Sequence, residues 1–88
     1  MINQSINNVI PDDFSSHDLG LIACLLCLDF ELVKIDKTNS QKVEFIIKRK
    51  KGLEDEIKNY WAYKCPVDGQ TYFNNLKRLK NQIFSSNY

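Results

Sequence analysis

The sequence predicts an α+β domain: an N-terminal helix, an antiparallel β-hairpin, and two C-terminal helices packed on the hairpin. Three observations carry this reading. Apolar residues recur at helical spacing near both ends of the chain. Between them, two runs rich in β-branched and aromatic residues flank the polar linker Asp36 to Gln41. The length, 88 residues, suits one domain with one small core, and an apolar content of 43% is enough to fold it without staples. The expected organisation is a loose arm over residues 1–12, a single domain over 13–84, and a frayed tail over 85–88.

Taken in order, the arm is rich in Asn and ends at Pro11. The first helix is expected to start at Ser15 or Ser16, with Ser15 as the cap and Asp18 three positions later, close to a capping box. Phe14 and Leu19 then flank the cap as a hydrophobic staple. The helix runs to about Leu28. Leu19, Ile22, Ala23 and Leu26 form one apolar stripe, and Leu21, Leu25 and Leu28 a second on roughly the opposite side. A helix that is apolar all round is normally buried all round, which is demanding in so short a chain. Burial of the second stripe under the arm and the last helix is the simpler reading. Docking of a partner, including a second copy of the chain, is the other.

Phe30 to Ile35 and Lys42 to Lys48 form the expected strands of the hairpin. Val43, Phe45 and Ile47 alternate with polar residues, and Ile46 interrupts the pattern. Two strands alone are marginal in water, so helices must cover one face. Gly52 ends the second strand's basic extension. The second helix follows from Leu53 to about Tyr63, with Glu54, Asp55 and Glu56 in the turn where the helix dipole favours negative charge. Lys64-Cys65-Pro66 ends it, because the residue before a proline avoids helical geometry. Asp68 caps the third helix, which runs to about Phe84 with Tyr72, Leu76, Leu79 and Ile83 as its core stripe.

This α-β-β-α-α order resembles a family of short bacterial and phage proteins known only as a domain of unknown function. The landmarks are Asp18, Ala23, Leu26, Val43-Glu44-Phe45, Tyr60, Val67-Asp68, Phe73 and Leu76-Lys77. The resemblance covers about residues 13–84. It implies the fold and an origin in mobile elements, and it carries no activity or site. The chain departs from the pattern at Leu28-Asp29, where a glycine would be expected to end the first helix.

Charge is divided along the chain. Residues 1–36 hold six acidic groups against one basic, and residues 37–88 hold eleven basic groups against five acidic. Such a division can mark a surface for an acidic partner. The basic half contains Lys48-Arg49-Lys50-Lys51. On the third helix, Phe73, Lys77, Lys80 and Phe84 share one side. Cations neutralise phosphates and aromatic rings stack on unpaired bases, so these residues together are the candidate contact for nucleic acid or another acidic partner. The plainer account is that the phenylalanines widen the core and the lysines keep the helix soluble.

Other chemistries find less support. Cys24 and Cys27 sit inside a leucine-rich helix, where thiols behave as small apolar residues. Zinc would draw on these two with Cys65 and His17, but the spacing of a structural site is missing. An odd count of cysteines suggests no disulfide framework, and a reducing, cytoplasmic location is expected. The longest apolar run, about ten residues, falls well short of the roughly 20 that cross a bilayer. His17 has no companion nucleophile or acid, so no catalytic residue and no cofactor is expected. Trp61, with Tyr60 and Tyr63 nearby, is of the kind that anchors interfaces, and the plainer account is that it lies on the buried face of the second helix and anchors the small core.

The expectation is therefore a small, non-catalytic regulatory protein that binds a protein or nucleoprotein. An inhibitor that occludes a host or defence nucleoprotein is one specific form. Direct nucleic-acid binding is the alternative, and a homodimer through the first helix is a further one.

Overall fold

The computed structural model describes residues 13–39 and 41–84. The expected arm and tail lie outside the described residues. The elements are strand β1 (Phe14–Ser16), helix α1 (Leu19–Cys27), strands β2 (Leu32–Asp36) and β3 (Glu44–Ile47), and helices α2 (Leu53–Trp61) and α3 (Gly69–Phe84). The α+β plan holds, with a third strand added to the hairpin.

That third strand corrects the start of the first helix. Residues 14–16 pair antiparallel with β3, Phe14 opposite Ile47 and Ser16 opposite Phe45, giving the sheet order β1-β3-β2. Ser15 is thus a strand residue and not a cap. The cap is Asp18, whose carboxylate accepts the Leu21 N–H at 2.9 Å. His17 precedes the helix instead of sitting in its first turn. Its Nδ1 donates to the Val43 carbonyl at 2.9 Å, tying the junction to the start of β3. Along β3 the inward residues Phe45 and Ile47 are buried, while Glu44 and Ile46 on the other face are half-buried.

α1 is the centre of the molecule. It packs on β3 with one side and receives both C-terminal helices on others. Those helices therefore reach the sheet largely through α1. Leu21, Ile22, Ala23, Cys24 and Leu25 are at most 2% exposed, which settles the all-round apolar helix as a core helix. Phe30, Phe45, Ile47, Leu53 and Leu79 complete the core, with Leu28 packed against its edge. The stripe Leu21, Leu25 and Leu28, named above as a partner or homodimer face, is thus turned into the domain, with Leu21 and Leu25 buried and Leu28 packed against the core.

Both α1 and α2 end in the same motif. After α1, the Phe30 N–H bonds to the Leu25 carbonyl at 3.1 Å and the Asp29 N–H to the Leu26 carbonyl at 3.2 Å. Asp29 takes the left-handed conformation with φ 68°, filling the position where glycine was expected. A short polar side chain tolerates that region. After α2, the Lys64 N–H bonds to the Asn59 carbonyl at 2.7 Å and the Tyr63 N–H to the Tyr60 carbonyl at 3.0 Å. Here the left-handed residue is Tyr63, with φ 60°. The helix itself stops at Trp61, two residues earlier than its apolar pattern suggests.

Candidate functional site

Tyr60, Trp61 and Tyr63 emerge together at the end of α2. Tyr60 and Trp61 meet edge to face, ring centroids 5.0 Å apart, which fixes the relative orientation of the two rings. Trp61 is 58% exposed and Tyr63 is 97% exposed. Trp61 is therefore on the surface and does not anchor the core. Tyr60, Trp61, Tyr63 and Cys65 line an open groove of about 380 Å³. A second groove of about 260 Å³, lined by Tyr60, Cys65, Val67, Gly69 and Tyr72, shares Tyr60 and Cys65 with it.

Tyr60 joins this surface to the interior. Its hydroxyl lies 3.4 Å from the Asp18 carboxylate, which also caps α1. Burial, then the Asp18 charge and the neighbouring Tyr72, push the Tyr60 phenol up to about 12. Gly20 makes room for it. A Cβ at that position would lie 2.5 Å from the Tyr60 hydroxyl and 3.1 Å from that of Tyr72.

The connection between α2 and α3 is tied to the core by a disulfide between Cys24 and Cys65. This corrects two expectations, that the odd cysteine count goes with no disulfide and that Cys24 packs as a free thiol beside Cys27. The end of α2 carries the chain back over α1 and brings the two Cα atoms to 6.7 Å, within bridging range. Only Cys27 is free, and it accepts an N–H from the amide of Asn75 at 3.2 Å. Asn75 is the one buried polar residue among the described residues. Two of the four zinc-ligand candidates are thus consumed by their own bond, and His17 is held at the far junction with β3.

The basic candidates fall into two sets. Lys48 continues the sheet by donating its N–H to the Glu31 carbonyl at 2.9 Å. Arg49 pairs with Glu54 in the first turn of α2. Lys50 lies over the Phe30 ring and donates to the Asp29 carbonyl at 2.9 Å, where the end of α1 favours a cation. Lys51 is exposed just before Gly52, whose φ of 95° starts α2. On α3, Phe73 and Phe84 are 57% and 77% exposed and do not widen the core. Lys77 covers the Phe73 ring at 5.4 Å, and Lys80 is exposed on the same flank. The β3 end is held to the termini of α1 and α2, whereas the flank belongs to α3, so the two sets sit on different elements.

Among the described residues no helix is long and apolar enough to cross a membrane. The family model described as Domain of unknown function (DUF5659) matches residues 12–85. The chain belongs to that family. No curated protein and no solved structure matches it. The match spans every described element from β1 to α3, so the groove and the disulfide both fall within the family's domain.

Sequence reasoning picked out Trp61 but not Tyr63 as a site, and missed the pairing of Cys65 with Cys24 and its place in the groove. A left-handed C′ residue is common at helix ends, but no glycine or asparagine between Trp61 and Pro66 marks the place, and Tyr63 is the residue that takes it. Nothing local marks Cys65, whose partner lies 41 residues away.

Proposed function

We propose that the protein is a non-catalytic binding module that docks a protein partner on the Trp61–Tyr63 groove. The observation that carries this is Tyr63. A bulky residue in the left-handed region costs about 1–2 kcal/mol relative to glycine, and Tyr63 regains none of that by burial. Strain retained at an exposed aromatic, beside an exposed tryptophan, supports a use outside the domain. Tryptophan and tyrosine are the residues that dominate interface hot spots. Exposed Lys58 and Lys64 stand close in sequence to the groove and would steer an acidic surface toward it. Occlusion of a host or defence nucleoprotein, by a protein of phage or other mobile-element origin, is the specific form this reading takes.

The test is capture of partners from the native host with the tagged chain and with Trp61→Ala. The reading requires a partner whose recovery is lost with Trp61→Ala while the variant's circular dichroism matches the wild type. If every captured species is retained by the folded variant, the groove is not the docking site.

The exposure of Phe73 and Phe84 around Lys77 and Lys80 favours direct nucleic-acid binding as a second reading. It predicts that affinity for a fluorescent single-stranded oligonucleotide falls by about 0.7 log units per log unit of salt for each phosphate contacted. Absence of binding at low salt ends it.

A further inference from the structure

We infer that the Cys24–Cys65 disulfide is a redox latch that sets the shape of the aromatic groove, an inference about regulation that rests on the groove being the docking site. The two sulfurs are in contrasting settings. Cys24 is 1% exposed inside α1. Cys65 is half-buried and lines both grooves. Among the described residues, the backbone bonds of the connection 62–68 run to the last turn of α2, within the connection, and into the start of α3. None of these reaches α1. The disulfide is the covalent tie between this connection, with the part of the groove that Cys65 lines, and α1.

Opening the latch takes a dithiol reductant. Its first thiolate attacks Sγ of Cys65, the accessible sulfur, and expels Cys24 as a thiolate that takes up a proton. The second thiol then displaces Cys65 from the mixed disulfide. Two electrons pass from the dithiol, which leaves as a disulfide, and Cys24 and Cys65 become thiols. The core beneath is built from Leu21, Ile22, Leu25, Phe45, Ile47, Leu53 and Leu79 and does not include the connection. Reduction therefore releases Cys65 and the connection that carries it, while α1 keeps its packing and Tyr60 stays against Asp18. The bond is a switch acting on the surface, with the fold as its fixed frame.

Trp61 is the only tryptophan, so its fluorescence reports the groove without any partner present. The full chain is treated with oxidised glutathione or with dithiothreitol, alkylated and weighed. Its disulfide is mapped by peptide mass, and Trp61 emission, acrylamide quenching and far-ultraviolet circular dichroism are recorded in both states. We expect one alkylated cysteine in the oxidised form and three after reduction, with Cys24 and Cys65 in the bridged peptide. Reduction should shift Trp61 emission and change its quenching with helical signal retained. Cys65→Ser should match the reduced form under both treatments, and Cys27→Ser should switch like the wild type. Three alkylated cysteines after oxidised glutathione, a bridge that contains Cys27, or Trp61 emission indifferent to reduction would each overturn the latch. Loss of helical signal on reduction overturns it too, since the bond is then a staple of the fold. A Trp61 shift without partner capture in either state supports the latch and counts against the docking reading.

Discussion

At the end of α1 the last residue of the terminal motif, Phe30, is 6% exposed and closes the core over Leu25. At the end of α2 its counterpart is the exposed Lys64, and the left-handed residue before it, Tyr63, is 97% exposed. The backbone bonds are the same in both places. At α1 the side chains agree with the fold, because Asp29 tolerates its conformation and Phe30 is buried by it. At α2 they do not, because Tyr63 is strained and Lys64 touches no core. The end of α1 is therefore packed and the end of α2 exposed, and the exposed end is the one that carries the proposed docking groove.

The comparison predicts its largest effect at the α1 end. Leu25→Ala removes a side chain that is 0% exposed and anchors that motif. The expected loss is about 2–5 kcal/mol in chemical denaturation. A loss below about 1 kcal/mol, the range of tolerated or exposed substitutions, would mean that α1 is not the centre of the core.

Gly20→Ala probes where the two sides meet. The new Cβ would crowd the hydroxyls of Tyr60 and Tyr72, and overpacking of this kind costs about 1–3 kcal/mol. The closest clash is with an oxygen atom at 2.5 Å, so adding Tyr60→Phe should recover part of the loss. If the double variant is no better than Gly20→Ala alone, Tyr60 does not rest against α1.

The same contact sets a pH dependence. The Tyr60 phenol is raised from its ordinary value near 10 to about 12, first by burial and then by the Asp18 charge. The folded state thus holds a proton that the unfolded chain gives up. This contribution is fully present below about pH 10 and is lost as pH climbs through 12. Tyr60→Phe should flatten the decline of stability across that window, measured by urea denaturation at fixed pH values.

How much of this was legible follows from range. The caps, the hairpin and the helix faces are set by neighbours a few residues apart, so Asp68, the β2–β3 pairing and the stripe through Leu76 and Leu79 could be read from the sequence. β1 is three residues long, too short for an alternation to show, and its Phe14-Ser15-Ser16 reads locally as a cap and staple. The pairing of Cys24 with Cys65 depends on how α2 returns over α1, which no local pattern encodes. The site divided along the same line. Trp61 is conspicuous by type, whereas the exposure of Tyr63 follows from the turn that ends α2 and that of Phe73 from the face α3 lays on α1.

The smallest expected effect has the opposite sign and bears most directly on the comparison. Tyr63→Gly replaces a strained residue with the one that occupies the left-handed position at least cost. It removes almost no buried surface, since the side chain is 97% exposed. Stability should therefore rise by up to about 1 kcal/mol, less than the full left-handed cost because glycine also gains freedom in the unfolded chain. The matching change at α1, Asp29→Gly, should gain less, because aspartate already tolerates the region. If Tyr63→Gly stabilises the domain and also weakens capture of the partner lost with Trp61→Ala, stability has been sacrificed at this residue for binding. If it destabilises the domain, Tyr63 serves the fold after all, and the contrast between the two helix ends disappears.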